Sequence, residues 1–141
     1  MKKTTVSECN IFELPRIEYR AGNITVVENG NNFPFKVKRI FYIYDIPGGK
    51  SRGAHAHKMC HLCLVAVSGS FSISVFDGQN QKIITLDKPY YGLHIPPGIW
   101  SNTLNFSSGA ICLVLTSELY NSTDYIRDYS DFLLYYNDRN L

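Results

Sequence analysis

No run of residues in the chain is long and apolar enough to span a bilayer. The lysines near its start, Lys2 and Lys3, are not followed by an apolar stretch, so nothing there reads as a signal peptide and a cytoplasmic protein is expected. Charge is scarce too. Charged residues make up 18% of the 141, the formal net charge is +2, and no dense Lys/Arg run occurs, which argues against a nucleic-acid partner. Cysteine is limited to positions 9, 60, 63 and 112 and shows no disulfide framework. Cys60 and Cys63 form a C-x-x-C, but no second one completes a four-sulfur zinc site. On a strand, residues three apart face opposite ways, so both read as small buried residues. No repeat, linker or low-complexity segment divides the chain, and 1–141 is expected to be one domain.

What the chain does have is aromatics and short alternating segments. It holds ten Tyr and eight Phe, and 45% of it is hydrophobic. Phe71, Ile73 and Val75 alternate with serines, the pattern of a half-buried strand, and Asp77-Gly78-Gln79-Asn80 turns the chain into Gln81–Leu86. Further strands are expected at Ile24–Glu28, Val37–Asp45, Leu93–Ile95, Trp100–Phe106 and Ala110–Ser117, with an edge strand near Ile11–Phe12 and Ile17. Asn29-Gly30-Asn31-Asn32, Pro47-Gly48-Gly49 and Pro96-Pro97-Gly98 punctuate them. After Ser130, a possible N-cap, the tail reads as helical. Many short strands with turns between them predict an all-β sandwich or barrel with a short C-terminal helical tail.

The stretch that carries chemistry is Arg52-Gly53-Ala54-His55-Ala56-His57-Lys58-Met59-Cys60-His61. Read as one strand running to about Val67, it places His55, His57 and His61 on one face with Cys63, Val65 and Val67. The opposite face, Ala56, Cys60, Leu62, Leu64 and Ala66, is also apolar and needs a cover, from the tail or from a second subunit. Histidine titrates nearest neutrality and is also the commonest metal ligand, so proton transfer and metal binding are rival readings of the three imidazoles.

A His-x-His strand and a later Pro-Pro-Gly corner resemble the cupin, or jelly-roll, superfamily. Many cupins hold a metal through His-x-His, a Glu and a last His after the corner; here the Glu position is plausibly His61 and the last ligand is replaced by Ser101. Four blocks in order sharpen the likeness: Val37-Lys38-Arg39-Ile40-Phe41-Tyr42-Ile43, Arg52–Lys58, Gly92-Leu93 ahead of Trp100, and Thr123-Asp124-Tyr125-Ile126-Arg127-Asp128-Tyr129. From about Gly22 to Phe132 the chain is similar to the dTDP-4-keto-6-deoxyglucose 3,4-ketoisomerases, small dimeric cupins that serve 3-amino-3,6-dideoxy sugar synthesis for bacterial surface polysaccharides.

That resemblance implies a cofactor-independent, metal-independent isomerase. It takes a proton from C3 of dTDP-4-keto-6-deoxyglucose, passes through an enediolate and returns a proton at C4. By the family pattern His55 and His57 are the two catalytic histidines, with His55 taken as the base at C3 and His57 as its partner. Tyr42 is the candidate donor to the enediolate, unless Phe41 holds the inward position. Arg52 suits bidentate phosphate contacts. Arg39, Arg127, Trp100 and His61 are further substrate-binding candidates, with Trp100 stacking on thymine, lining the sugar pocket or plain core, and Arg127 either on nucleotide or pinning the tail. Two other readings stand beside this one. A 3,5-epimerase also abstracts protons beside a C4 ketone, but usually pairs one His with Asp and Tyr. A non-catalytic metal- or sugar-sensing cupin would hold a metal tightly and exchange no substrate protons.

Overall fold

A computed structural model of the chain describes residues 3–30 and 32–139; Asn31 of the expected turn cluster and the two ends of the expected domain lie outside them. The strands are β1 (Asn10–Glu13), β2 (Arg16–Ile17), β3 (Ile24–Thr25), β4 (Arg39–Ile43), β5 (Arg52–His57) and β6 (Leu62–Ser68). They continue as β7 (Phe71–Phe76), β8 (Gln81–Leu86), β9 (Tyr91–Ile95), β10 (Trp100–Leu104), β11 (Ile111–Thr116) and β12 (Tyr125–Ile126), and the chain ends in helix α1 (Tyr129–Arg139). One five-stranded sheet has the order β1-β9-β6-β11-β4, the other β12-β5-β10-β7-β8, and β2 and β3 form a small ribbon. The two large sheets close face to face as a jelly-roll of the cupin kind, with every strand pairing antiparallel.

Alternation explains the core. Phe71, Ile73 and Val75 from one sheet meet Leu62, Leu64 and Ala66 from the other, all buried. On the outer side of the β7–β8 pair the polar positions find each other, Ser72 with Thr85 at 2.9 Å and Ser74 with Gln81 at 2.8 Å. Asp77 closes the turn between these strands by accepting the N–H groups of Gln79 and Asn80, and its second oxygen accepts Val6 N–H at 2.9 Å, which ties down the N-terminal segment.

The expected single strand from Arg52 to Val67 is two strands in different sheets. Residues 58–61 cross between them, because the N–H groups of Met59 and Cys60 donate to Asp124 rather than to a ladder. The crossing resets the alternation. In β6 the even residues Leu62, Leu64 and Ala66 face the core, and Cys63 and Val65 face outward. That outer face is covered by the chain's own Leu14, Phe12, Val27, Phe33 and Phe35. Gly92 is needed beneath this cover, since a Cβ there would lie 2.7 Å from Cys63 Sγ and 3.1 Å from the Phe12 ring.

The helix begins two residues earlier than the tail pattern suggests. Asp128, not Ser130, caps it by accepting the N–H of Asp131 at 3.1 Å. It lays Phe132, fully buried, against Ala56 and Ile126, with Phe76 and Trp100 alongside. The two faces of β5 therefore do different work: Ala56 packs under the helix while His55 and His57 look inward.

Candidate active site

Between the sheets, on the side where β4 and β5 stand apart, lies a cavity of about 490 Å³. His55 and His57 form its polar wall, and Leu62, Leu64, Cys112 and Val114 its apolar floor. Cross-strand pairing sets the neighbours of the imidazoles. Ser101 on β10 lies opposite His55, and Tyr125 on β12 lies opposite His57. The two imidazole centroids are 5.1 Å apart with the rings at 82°, and the Tyr125 ring sits 4.3 Å from His57 and 5.3 Å from His55.

Asp124 stands behind His57. Its Oδ2 is 2.9 Å from His57 Nδ1, and both groups are buried. A carboxylate there makes Nδ1 the N–H donor, so Nε2 is left as the acceptor in the neutral ring. Both imidazoles are held neutral at pH 7. Burial, helped by the charges of His57 and Arg127 and opposed by the Gly53 backbone, lowers His55 to about 4. His57 is also lowered, by burial first, with Asp124 pulling it back up and Arg39 and Arg127 pushing it down.

His57, Cys60 and Asp124 each bring a metal-ligand atom within 4.8 Å of the others. The trio is closed by its own hydrogen bonds. Asp124 already accepts from His57 Nδ1, from Met59 N at 2.7 Å and from Cys60 N at 3.3 Å, and the thiol donates to the carbonyl of His61. Burial raises the Cys60 thiol further from the thiolate a metal requires.

A bulge brings an arginine to the rim. Ser101 pairs with His55 but Thr103 pairs with Arg52, so three residues of β5 oppose two-residue spacing on β10. Gly53, at φ 62°, supplies the left-handed conformation this needs, and the slip turns Arg52 onto the cavity side with the histidines. Arg127 lines the other rim, its guanidinium 4.3 Å over the Tyr125 ring.

Comparison with known proteins fits this arrangement. The family described as FdtA: WxcM-like, C-terminal matches residues 7–137. The chain belongs to the FdtA family. It is 38% identical over 128 residues to the TDP-4-oxo-6-deoxy-alpha-D-glucose-3,4-oxoisomerase of Aneurinibacillus thermoaerophilus, covering 91% of this chain and 92% of that one. The solved 3,4-ketoisomerase from Helicobacter canadensis matches with TM-score 0.88 and 43% identity over 92% of this chain and 97% of that one. A sugar 3,4-ketoisomerase from Thermoanaerobacterium thermosaccharolyticum, solved in complex with TDP, matches with TM-score 0.92 and 34% identity, covering 97% of this chain and all of the other (100%). This FdtA-family protein is an isomerase of the 3,4-ketoisomerase class.

The sequence-derived candidates divide in this frame. His55, His57, Arg52 and Arg127 come together around the FdtA-family cavity. Tyr42 lines the cavity only from its rim: Phe41 and Ile43 take the inward positions of β4, while Tyr42 is 60% exposed, its ring 5.7 Å from that of Tyr44. Trp100 is core, packed on Tyr129 and Phe132 on the far side of β10, and does not line the cavity. His61 is carried to the opposite face of the first sheet, beside His94, so the three imidazoles do not share a site. Arg39 stands back from the cavity wall over the rings of Phe41 and Tyr120. Sequence reasoning passed over Asp124 and Tyr125. The signal was present, since both lie in the same Thr123–Tyr129 block as Arg127.

Proposed function

We propose that this single-domain protein converts dTDP-4-keto-6-deoxyglucose to a dTDP-3-keto-6-deoxyhexose. The observation that carries the reading is the His55–His57 pair, both neutral, side by side in one cavity with Asp124 fixing the second ring. The named curated relative acts on the same sugar by its printed name, and a solved relative binds TDP.

The proton count suits two imidazoles. Moving the carbonyl from C4 to C3 takes one proton from C3 to C4 and one from the C3 hydroxyl to the C4 oxygen, with no net oxidation. His55 serves as the base at C3. His57, with Nδ1–H given to Asp124, offers Nε2 to the oxygen-bound proton and holds it as an imidazolium that the carboxylate stabilises. Tyr125, whose ring lies against both imidazoles, supplies its hydroxyl as donor to the enediolate. Arg52 and Arg127, at the two rims, take the diphosphate.

The working unit is a cytoplasmic homodimer supplying a 3-keto sugar for amination in surface-glycan synthesis. A partner surface is supported by exposed apolar groups on the outer side of β4 and on the β2–β3 ribbon: Ile40 and Tyr42 (58% and 60% exposed), with Ile17, Tyr19 and Ile24. No helix among the described residues is long and apolar enough to cross a membrane.

The test is NMR of dTDP-4-keto-6-deoxyglucose with metal-stripped protein in deuterated water. A new 3-keto sugar with deuterium at C4, lost in His55→Asn, supports the reading. Deuterium at C3 and C5 with inversion at C5 would make the protein a 3,5-epimerase. No exchange at all would sink catalysis and leave a binding cupin.

A further inference from the structure

His61 and His94 are the two histidines that the isomerase chemistry leaves unused. They lie on the face of the first sheet that turns away from the cavity. Cys63 is the cross-strand partner of His94, and His61 precedes it by two residues, so the rings meet diagonally across the junction of β6 and β9. Their planes differ by 15° and their centroids are 5.2 Å apart. His61 Nδ1 is 2.9 Å from His94 Nε2. Phe35 leans on both rings at 5.8 Å, yet both histidines keep part of their surface in solvent.

We propose that His61 and His94 form a second, non-catalytic site that chelates one divalent transition-metal ion through these two facing nitrogens. The spacing suits it. Metal–imidazole bonds of about 2.0–2.1 Å put two donor nitrogens roughly 2.9 Å apart at a right angle and about 3.3 Å apart at a tetrahedral angle. His94 is on β9, and His61, the residue just before β6, is pinned by its N–H to Ser117 Oγ at 2.8 Å and by Ser117 N–H donating to its carbonyl at 3.1 Å, so little ordering accompanies binding. Burial keeps both rings in the neutral form that ligation requires, with His94 lowered to about 4. The carboxylates of Glu8 and Glu118 lie near enough to favour positive charge, Glu8 at His94 and Glu118 at His61. A donor set of two imidazoles completed by water selects Zn²⁺, Ni²⁺ or Cu²⁺ over Mg²⁺ and Ca²⁺. The ion would brace the wall whose inner side presents Leu62 and Leu64 to the cavity, without touching a reacting atom.

Calorimetric titration of the metal-stripped, full-length protein with Zn²⁺ tests this. The expected result is one equivalent bound by the parent and by His57→Asn, at least tenfold weaker in His94→Gln and in His61→Gln, with kcat unchanged in His94→Gln. Cu²⁺ at one equivalent should show nitrogen splitting from two imidazoles in its EPR spectrum, reduced to one in either variant. Should His94→Gln fail to fold, His61→Gln reads the same loss. Undiminished binding in both variants would put the ion elsewhere, and loss in His57→Asn would put it at the catalytic dyad; either result overturns the proposal. No binding to the parent would overturn it as well, leaving a pair of rings that share a proton.

Discussion

Asp124 accepts the Nδ1–H of His57 at 2.9 Å and, with the same carboxylate, the backbone N–H of Met59 at 2.7 Å. One side chain thus fixes the tautomer of a site imidazole and the turn that carries the chain from one sheet to the other. The fold and the chemistry meet at this residue.

Asp124→Asn keeps the size of the side chain but removes the charge that favours a protonated His57. The loss should fall on kcat, by about 10²–10⁴-fold, with KM within a few-fold of the parent. Steady-state kinetics on dTDP-4-keto-6-deoxyglucose make the check. An equal loss confined to KM would mean that Asp124 serves substrate binding rather than the imidazole.

The two tyrosines can be separated in one experiment. Tyr42 is exposed at the rim, whereas the Tyr125 ring touches both imidazoles. Tyr42→Phe should leave kcat within about twofold, and Tyr125→Phe should lower it by about 10–10²-fold through loss of a donor to the enediolate. The reverse ranking would return the donor role to Tyr42.

This pair also shows what the sequence could and could not reveal. The His-x-His spacing, the alternation of Phe71, Ile73 and Val75, and the turns after them follow from local periodicity, and these elements are where that periodicity puts them. The place of His61 does not follow locally. The strand it was expected to continue is broken by Asp124, whose partner His57 is 67 positions away, and every residue beyond the break changes face. Arg52 illustrates the same point in the opposite direction. Strict alternation would turn it away from His55, and only the bulge at Gly53 brings both to one cavity. Bulges and crossings depend on long-range hydrogen bonds, which a period-two reading does not contain.

Trp100 belongs to packing rather than to substrate binding. Its ring lies 5.5 Å from Phe132 and 5.4 Å from Tyr129, so Trp100→Phe should leave KM within about twofold. Phe132 is fully buried in the same cluster, and Phe132→Ala should cost about 3–5 kcal/mol in urea unfolding, through lost burial and the cavity left behind. A large rise in KM for Trp100→Phe at unchanged stability would put the indole in the nucleotide site.

The pH profile tests the state of the base. His55 can take a proton only as a neutral imidazole, and burial, then His57 and Arg127, hold it at about 4 rather than the ordinary 6.5. With falling pH, kcat/KM should therefore stay level through neutrality and drop only below the ordinary 6.5, as the first of the two lowered imidazoles, His55 at about 4 or His57, takes up a proton and can no longer accept one. Arg127→Gln takes away one of the lowering charges, so the acid limb should move to higher pH. It should still stop short of 6.5, since burial is the largest cause and remains. The same variant should raise KM by loss of a diphosphate contact, and that effect should be nearly independent of pH. An acid limb near 6.5 in the parent would mean a solvated imidazole. A limb unmoved by Arg127→Gln would mean that the guanidinium does not feel His55, and its place over Tyr125 would then serve substrate binding alone.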